Sequence, residues 1–263
     1  MAEDHDRGPG RGEQPAVGDM SAPTGHPELS GPLTPIDPDA PVSGHIPVPD
    51  APRAFDAPRA SDAPEHDWAL AAPAVYPVLL PADATGMQLG ELDGPSLAAM
   101  GLRSYLQPLV DPGPAGLLVK YVIAEERFDV TVNGEHLIGW GIQAAKLREA
   151  AFANLARWAA GAAWSVETSG ARRLISSSNG SWDASRILLP QERAHLAGEL
   201  GGEGRVLVGL PERHLLVAGT LRSGDDQFAA LLADFVSELA GGADEPIDNR
   251  LLELVRGDVV VFQ

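Results

Sequence analysis

The sequence predicts an α+β protein: a mostly antiparallel sheet with about three helices on one face, preceded by a disordered Pro/Asp-rich N-terminal tail. Three observations predict it. Residues 1–66 hold 13 of the 23 prolines, so the chain divides into a tail and a folded part at 67–263. After Ile142 a helical period followed by two short β-branched runs recurs three times. Turn signals between the runs leave room for hairpins, and no spacing demands the crossover that joins parallel strands.

The tail carries twelve acidic and four basic residues, and only ten of its residues are Val, Ile, Leu, Met or Phe, scattered singly. Such a segment buries too little apolar surface to offset the entropy of ordering it. It ends in a hexapeptide echo, Asp50-Ala51-Pro52-Arg53-Ala54-Phe55 followed by Asp56-Ala57-Pro58-Arg59-Ala60-Ser61 and Asp62-Ala63-Pro64. Proline at that interval favours an extended, solvated chain. The plainer reading is a linker or solubilising arm; the alternative is a docking segment, for instance through Leu33-Thr34-Pro35-Ile36.

In the folded part, Ala74 to Leu80 reads as a strand that Pro77 pushes to a sheet edge. Residues 83–116 are turn-rich, with a helix expected around Ser96 to Leu106. Leu117 to Ile123 and Phe128 to Val132 are strands, and Asn133-Gly134 is a hairpin signal with Glu135 to Gly139 as the returning partner. From Ile142 to Ala159, Leu147, Ala151, Leu155 and Trp158 share one helical face, and Gly161 stops the helix. Ala163 to Glu167 and Arg172 to Ser177 form a hairpin. A helical stretch over Ala184 to Leu200 is interrupted at Pro190 and ends at Gly201-Gly202. Arg205 to Leu210 and His214 to Gly219 form the next hairpin. Ser223 and Asp226 resemble a capping box opening a third helix. Its stripe is Phe228, Leu231, Leu232, Phe235 and Leu239, and Gly241-Gly242 closes it. Leu251 to Val255 and Val259 to Phe262 close the fold as a hairpin around Gly257-Asp258.

Charge and composition exclude several functions. A net charge of −18 argues against a sequence-independent hold on nucleic acid and against a polybasic hold on a membrane. The absence of cysteine removes disulfides, thiolate nucleophiles and Cys-based metal sites. The acidic N-terminus lacks an apolar stretch behind it, and no apolar run approaches the ~18–20 residues that span a bilayer. The expectation is a soluble, cytoplasmic protein with no cofactor and no metal. His136, His195 and His214 are the histidines of the folded part, with no HExxH and no pair at helical spacing. There is no GxxxxGK, no GxGxxG between strand and helix, and no GxSxG. Gly201-Gly202-Glu203-Gly204 runs from a helix into a strand and is a helix stop.

One segment stands out, Ser176-Ser177-Ser178-Asn179-Gly180-Ser181-Trp182-Asp183-Ala184-Ser185-Arg186-Ile187-Leu188. Small polar residues and a turn lead into a helix start, so Asn179, Asp183, Ser185 and Arg186 become candidate binding residues for an anion at exposed helix N–H groups. The plainer reading makes Asp183 an N-cap, with Ser185 and Arg186 in the first turn. A catalytic reading needs a base for Ser185, which His214 could supply only through the fold.

The string Asp183-Ala184-Ser185-Arg186-Ile187-Leu188 resembles the motif of the YtpQ-like family, soluble bacterial proteins that share a domain of unknown function. Tyr76-Pro77-Val78, Ala151-Phe152-x-Asn154-Leu155, and Val208-x-x-Pro211 followed by Leu215-Leu216 resemble other pieces of the family in the same order. The resemblance covers about residues 74–262. The chain departs from the pattern at Pro190 and at His214, where an acidic residue is expected. The resemblance implies a fold and carries no catalytic residues.

The function expected from these readings is a non-catalytic protein-interaction or regulatory module with a protein partner. The alternatives are a metal-independent hydrolase or transferase, or a sensor of a small anionic ligand, either one using the 179–186 turn.

Overall fold

The computed structural model describes residues 63–263 apart from 91, 93–96, 98, 100–105, 127, 171 and 203. A 3-10 turn (Pro64–His66) and a one-turn helix α1 (Trp68–Ala71) lead into a first sheet. Its strands are β1 (Val75–Leu80), β2 (Met87–Gln88), β3 (Leu109–Pro112), β4 (Leu118–Ala124) and β5 (Asp129–Thr131). The order is β1-β4-β3-β2, and β5 pairs with the C-terminal end of β4. All pairings are antiparallel except β2 with β3. Pro77 lies in β1, at the sheet edge, where a missing N–H is tolerated.

Helices α2 (Gly134–Trp140) and α3 (Ala144–Gly161) follow. Next come β6 (Ser165–Ser169), β7 (Arg172–Ser177), a 3-10 turn (Ala184–Leu188) and α4 (Pro190–Leu200). The chain ends with β8 (Arg205–Glu212), β9 (Leu215–Leu221), α5 (Asp226–Gly242), β10 (Leu252–Val255) and β11 (Asp258–Val261). These six strands form a second, wholly antiparallel sheet in the order β11-β10-β8-β9-β7-β6. The helix-then-hairpin recurrence after Ile142 is therefore present in the fold. Pro190 occupies the first turn of α4, where its missing N–H breaks no helical bond. In the last hairpin Arg256 and Gly257 both have positive φ, 52° and 88°, the backbone of a tight two-residue turn.

The protein is mixed α+β and mostly antiparallel, but it has two sheets, and the helices are not gathered on one face. The alternation along β8 shows why. Val206, Val208 and Leu210 point into the largest apolar cluster with Leu196 and Leu200 of α4 and with Val119, Tyr121 and Ile123 of β4. Leu207 points the other way, to Phe228, Leu232 and Val236 of α5. Helices α4 and α5 thus cover opposite faces of the second sheet, while α3 packs on β1 of the first. The Thr220 hydroxyl adds a bond to the α4 end, donating to the Leu200 carbonyl at 2.7 Å. Strands buried on both faces read as continuous apolar runs, as Val206 to Leu210 does.

Glycine sets how near α5 comes. A Cβ on Gly209 would run into Val236, and one on Gly219 would lie 2.7 Å from the Phe228 ring.

Other expectations change as well. Asn133-Gly134 does not turn a hairpin into residues 135–139; Asn133 caps α2. Its side-chain oxygen accepts from the Glu135 and His136 N–H groups, while its own N–H donates to His136 Nδ1 at 3.1 Å. Asn is favoured in both roles, and its extended φ of −128° rules out the left-handed backbone that the turn requires. Helix α5 starts without a capping box: Asp225 holds the N-cap position, and its carboxylate takes Arg172 instead, with bonds of 2.7 and 3.0 Å. The expected helix at 96–106 and the tail before residue 63 lie largely outside the described residues. Among the described residues, no helix is long and apolar enough to cross a membrane.

Gly209→Ala is expected to lower the unfolding free energy by about 1–3 kcal/mol through overpacking against α5. Gly198→Ala, in α4 with open space around it, is expected to raise stability by about 0.5–1 kcal/mol. Urea midpoints of the two variants check the contrast.

Candidate functional site

The segment singled out by sequence forms a buried polar network. Asp183 is 0% exposed and Arg186 1% exposed, and Ser177 at the end of β7 joins them. The Ser177 hydroxyl donates to Asp183 Oδ1 at 2.6 Å and accepts from Arg186 Nη1 at 2.7 Å. Asp183 also accepts from the Asn179 N–H at 2.9 Å, the Asn179 amide at 2.8 Å and the Ser181 N–H at 3.3 Å. Arg186 pairs with Glu192 of α4 at 2.6 Å, donates to the Ala163 carbonyl ahead of β6, and stacks over the Trp164 ring at 3.7 Å. Asn179 closes the loop by exchanging bonds with both backbone groups of Ala163.

This geometry revises the capping reading. Asp183 has helical backbone angles and makes no cap bond; its carboxylate faces back into the turn that precedes it. The helix beyond it is a five-residue 3-10 turn, and its Ala184 N–H is taken by the Arg213 carbonyl. Ser185 is buried, and the exposed His214 ring sits 3.1 Å from the Ser181 carbonyl oxygen. The fold therefore brings Asn179, Asp183 and Arg186 together through Ser177; it buries Asp183 and Arg186 and leaves Asn179 exposed at the edge of the network. Burial pushes the Asp183 carboxyl up, but the bonds from Ser177, Asn179 and Ser181 outweigh it and hold the pKa below the ordinary carboxylate value.

Two concave surfaces lie elsewhere. The first is a groove of about 570 Å³ beside α5, floored by Leu174, Val217 and Leu215 and rimmed by Glu167 of β6. Leu231 and Phe235 of α5 line it and are 52% and 46% exposed. The sequence stripe placed both in the core. The face that packs is Phe228, Ala229, Leu232, Val236 and Ala240, so Phe228 and Leu232 of the stripe are buried while Leu231 and Phe235 are left out. The glycines in β8 and β9 were the readable signal. Alongside runs β6, the sheet edge, with all five residues exposed and Val166 51% exposed.

The second is a cleft of about 770 Å³ between the first sheet, α3, α4 and β11. In it Asp111 accepts the Tyr121 hydroxyl at 2.6 Å and a bidentate Arg148 at 2.7 and 2.8 Å. Burial and the Asp111 carboxylate push the Tyr121 hydroxyl far above its usual pKa, so it remains a hydrogen-bond donor. Among the described residues, no cluster of three or more His, Asp or Glu is placed to hold a metal ion.

No protein-family model, curated protein or solved structure matches the chain.

Asp183→Asn is expected to cost about 3 kcal/mol, the scale of breaking a buried charged network. Because the folded pKa lies below the unfolded value, the carboxylate stabilises the fold fully above the unfolded pKa, ~4, and this contribution fades as pH falls through the lower folded pKa. Wild type should therefore lose stability more steeply than the Asn variant on acidification. Denaturant unfolding at neutral and acidic pH compares the two slopes.

Proposed function

We propose that residues 63–263 form a non-catalytic protein-interaction module whose groove beside α5 receives an extended segment of a partner protein, apolar and basic, paired along β6. One observation carries this reading: Leu231 and Phe235 stand exposed on a helix next to an unpaired sheet edge. An open edge offers backbone donors and acceptors, and a neighbouring apolar groove offers pockets for alternate side chains.

Charge favours a basic occupant. Helix α5 contains Asp226, Asp234 and Glu238 and no lysine or arginine. Glu167 adds a carboxylate to the groove rim, and the nearby Arg172 is already paired with Asp225. A second copy of this acidic chain would meet like charge there. The 179–186 turn is outside this reading, because its carboxylate and guanidinium are engaged within the fold. Kinship with the YtpQ-like family belongs to the same proposal, supported by the 183–188 string and the order of the other matching pieces.

Selection of displayed random peptides against the full chain tests the proposal. Enriched peptides should combine apolar residues with Lys or Arg and lose at least about tenfold in affinity against Leu231→Glu/Phe235→Glu. N-methylation at alternate peptide positions should weaken binding for one set and spare the other. Acidic peptides, or binding indifferent to the double variant, would sink the idea.

A further inference from the structure

The cleft between the two sheets contains a guanidinium that forms no ion pair with another described residue. Arg193 of α4 donates Nε–H to the Gly257 carbonyl at 2.7 Å and Nη1–H to the Ile187 and Leu188 carbonyls at 2.9 and 3.0 Å. Three carbonyls fix the guanidinium in place and satisfy three donor contacts without supplying a negative charge. Among the described residues, no carboxylate lies within ion-pair distance of Arg193. The other charges of the floor are matched, Asp111 by Arg148.

The walls are apolar, with Phe152, Leu188 and Val260 among them. The volume, about 770 Å³, falls within the ~300–1,000 Å³ of small-molecule sites, which place a few fixed polar groups in an apolar surround. Asp258, exposed, is a further lining residue, so a second negative charge on a ligand would be repelled.

We propose that this cleft binds an apolar monocarboxylate, with its carboxylate on the open side of Arg193 and its hydrocarbon against Phe152, Leu188 and Val260. A rigid guanidinium suits a carboxylate because little side-chain freedom is lost on binding. The Tyr121 hydroxyl and Asp111 form a fixed floor, and the site holds its ligand without transforming it. This binding is separate from the groove beside α5, on a different face of the second sheet.

Sodium octanoate is the probe, with 1-octanol as the uncharged match and inorganic phosphate as the charge without the chain. Calorimetry and thermal melting on the full chain should show octanoate binding saturably at one site and raising Tm. Both comparators should bind at least about tenfold more weakly. Arg193→Gln and Val260→Trp, the latter filling the cleft from an exposed position, should each weaken octanoate by a similar factor, and Leu231→Glu/Phe235→Glu should leave it unchanged. If Arg193→Gln does not fold, Val260→Trp decides. The proposal is overturned if octanoate does not saturate, if phosphate or octanol binds as well, or if Val260→Trp binds as wild type does.

Discussion

A guanidinium removed from water has to find a counter-charge and acceptors inside the protein, or the segment that carries it will not stay folded. Arg186 meets that demand with groups from three places: Ala163 and Trp164 ahead of β6, Ser177 at the end of β7, and Glu192 in α4. The 3-10 turn bearing Arg186 is thereby the junction at which a hairpin of the second sheet, the turn after it and the next helix are held in one arrangement. Asp183 performs the complementary task, absorbing the amide groups of a turn that contains no regular structure. The rest of the second sheet is built outward from this junction, because β7 pairs directly with β9.

The two concave surfaces follow from coverage. Six strands at ~4.8 Å spacing make a sheet about 24 Å wide, whereas a helix is ~10 Å across. One helix cannot cover such a face. Glycines 209 and 219 draw α5 over β8 and β9, and the floor toward β7 and β6 is left bare. The opposite face meets the first sheet and α4 in a shared core, and where β11 and the end of β3 diverge from α3 and α4 the cleft remains.

Most of the fold was legible because its signals are local. Turn residues and short β-branched runs marked the last three hairpins to within a few residues, and Pro190 marked the boundary between the 3-10 turn and α4. Asn133-Gly134 misled because one residue type serves two local purposes, and the choice between them lies in the backbone angle. The α5 stripe misled because apolar spacing identifies a helix without saying which large residues a close-packed sheet can admit. The 176–188 segment was legible as distinctive, but its role was not. Asp183 takes its partners from within the segment, but those of Arg186 include Ala163, Trp164 and Glu192, which lie outside it. The cleft was unreadable for the same reason, since Arg193 and Tyr121 come to line one cleft only through the packing of separate elements.

The Ala163 backbone, fixed from both sides by Asn179 and Arg186, has a further effect two residues on, where β6 begins. Edge strands tied at neither end fray, and whatever pairs with them must first suppress that motion. Here the N-terminal end of β6 is clamped to a buried network while its outer rim stays open to water. A strand added along this edge would meet an ordered template, and the entropy lost on pairing would fall almost wholly on the added chain.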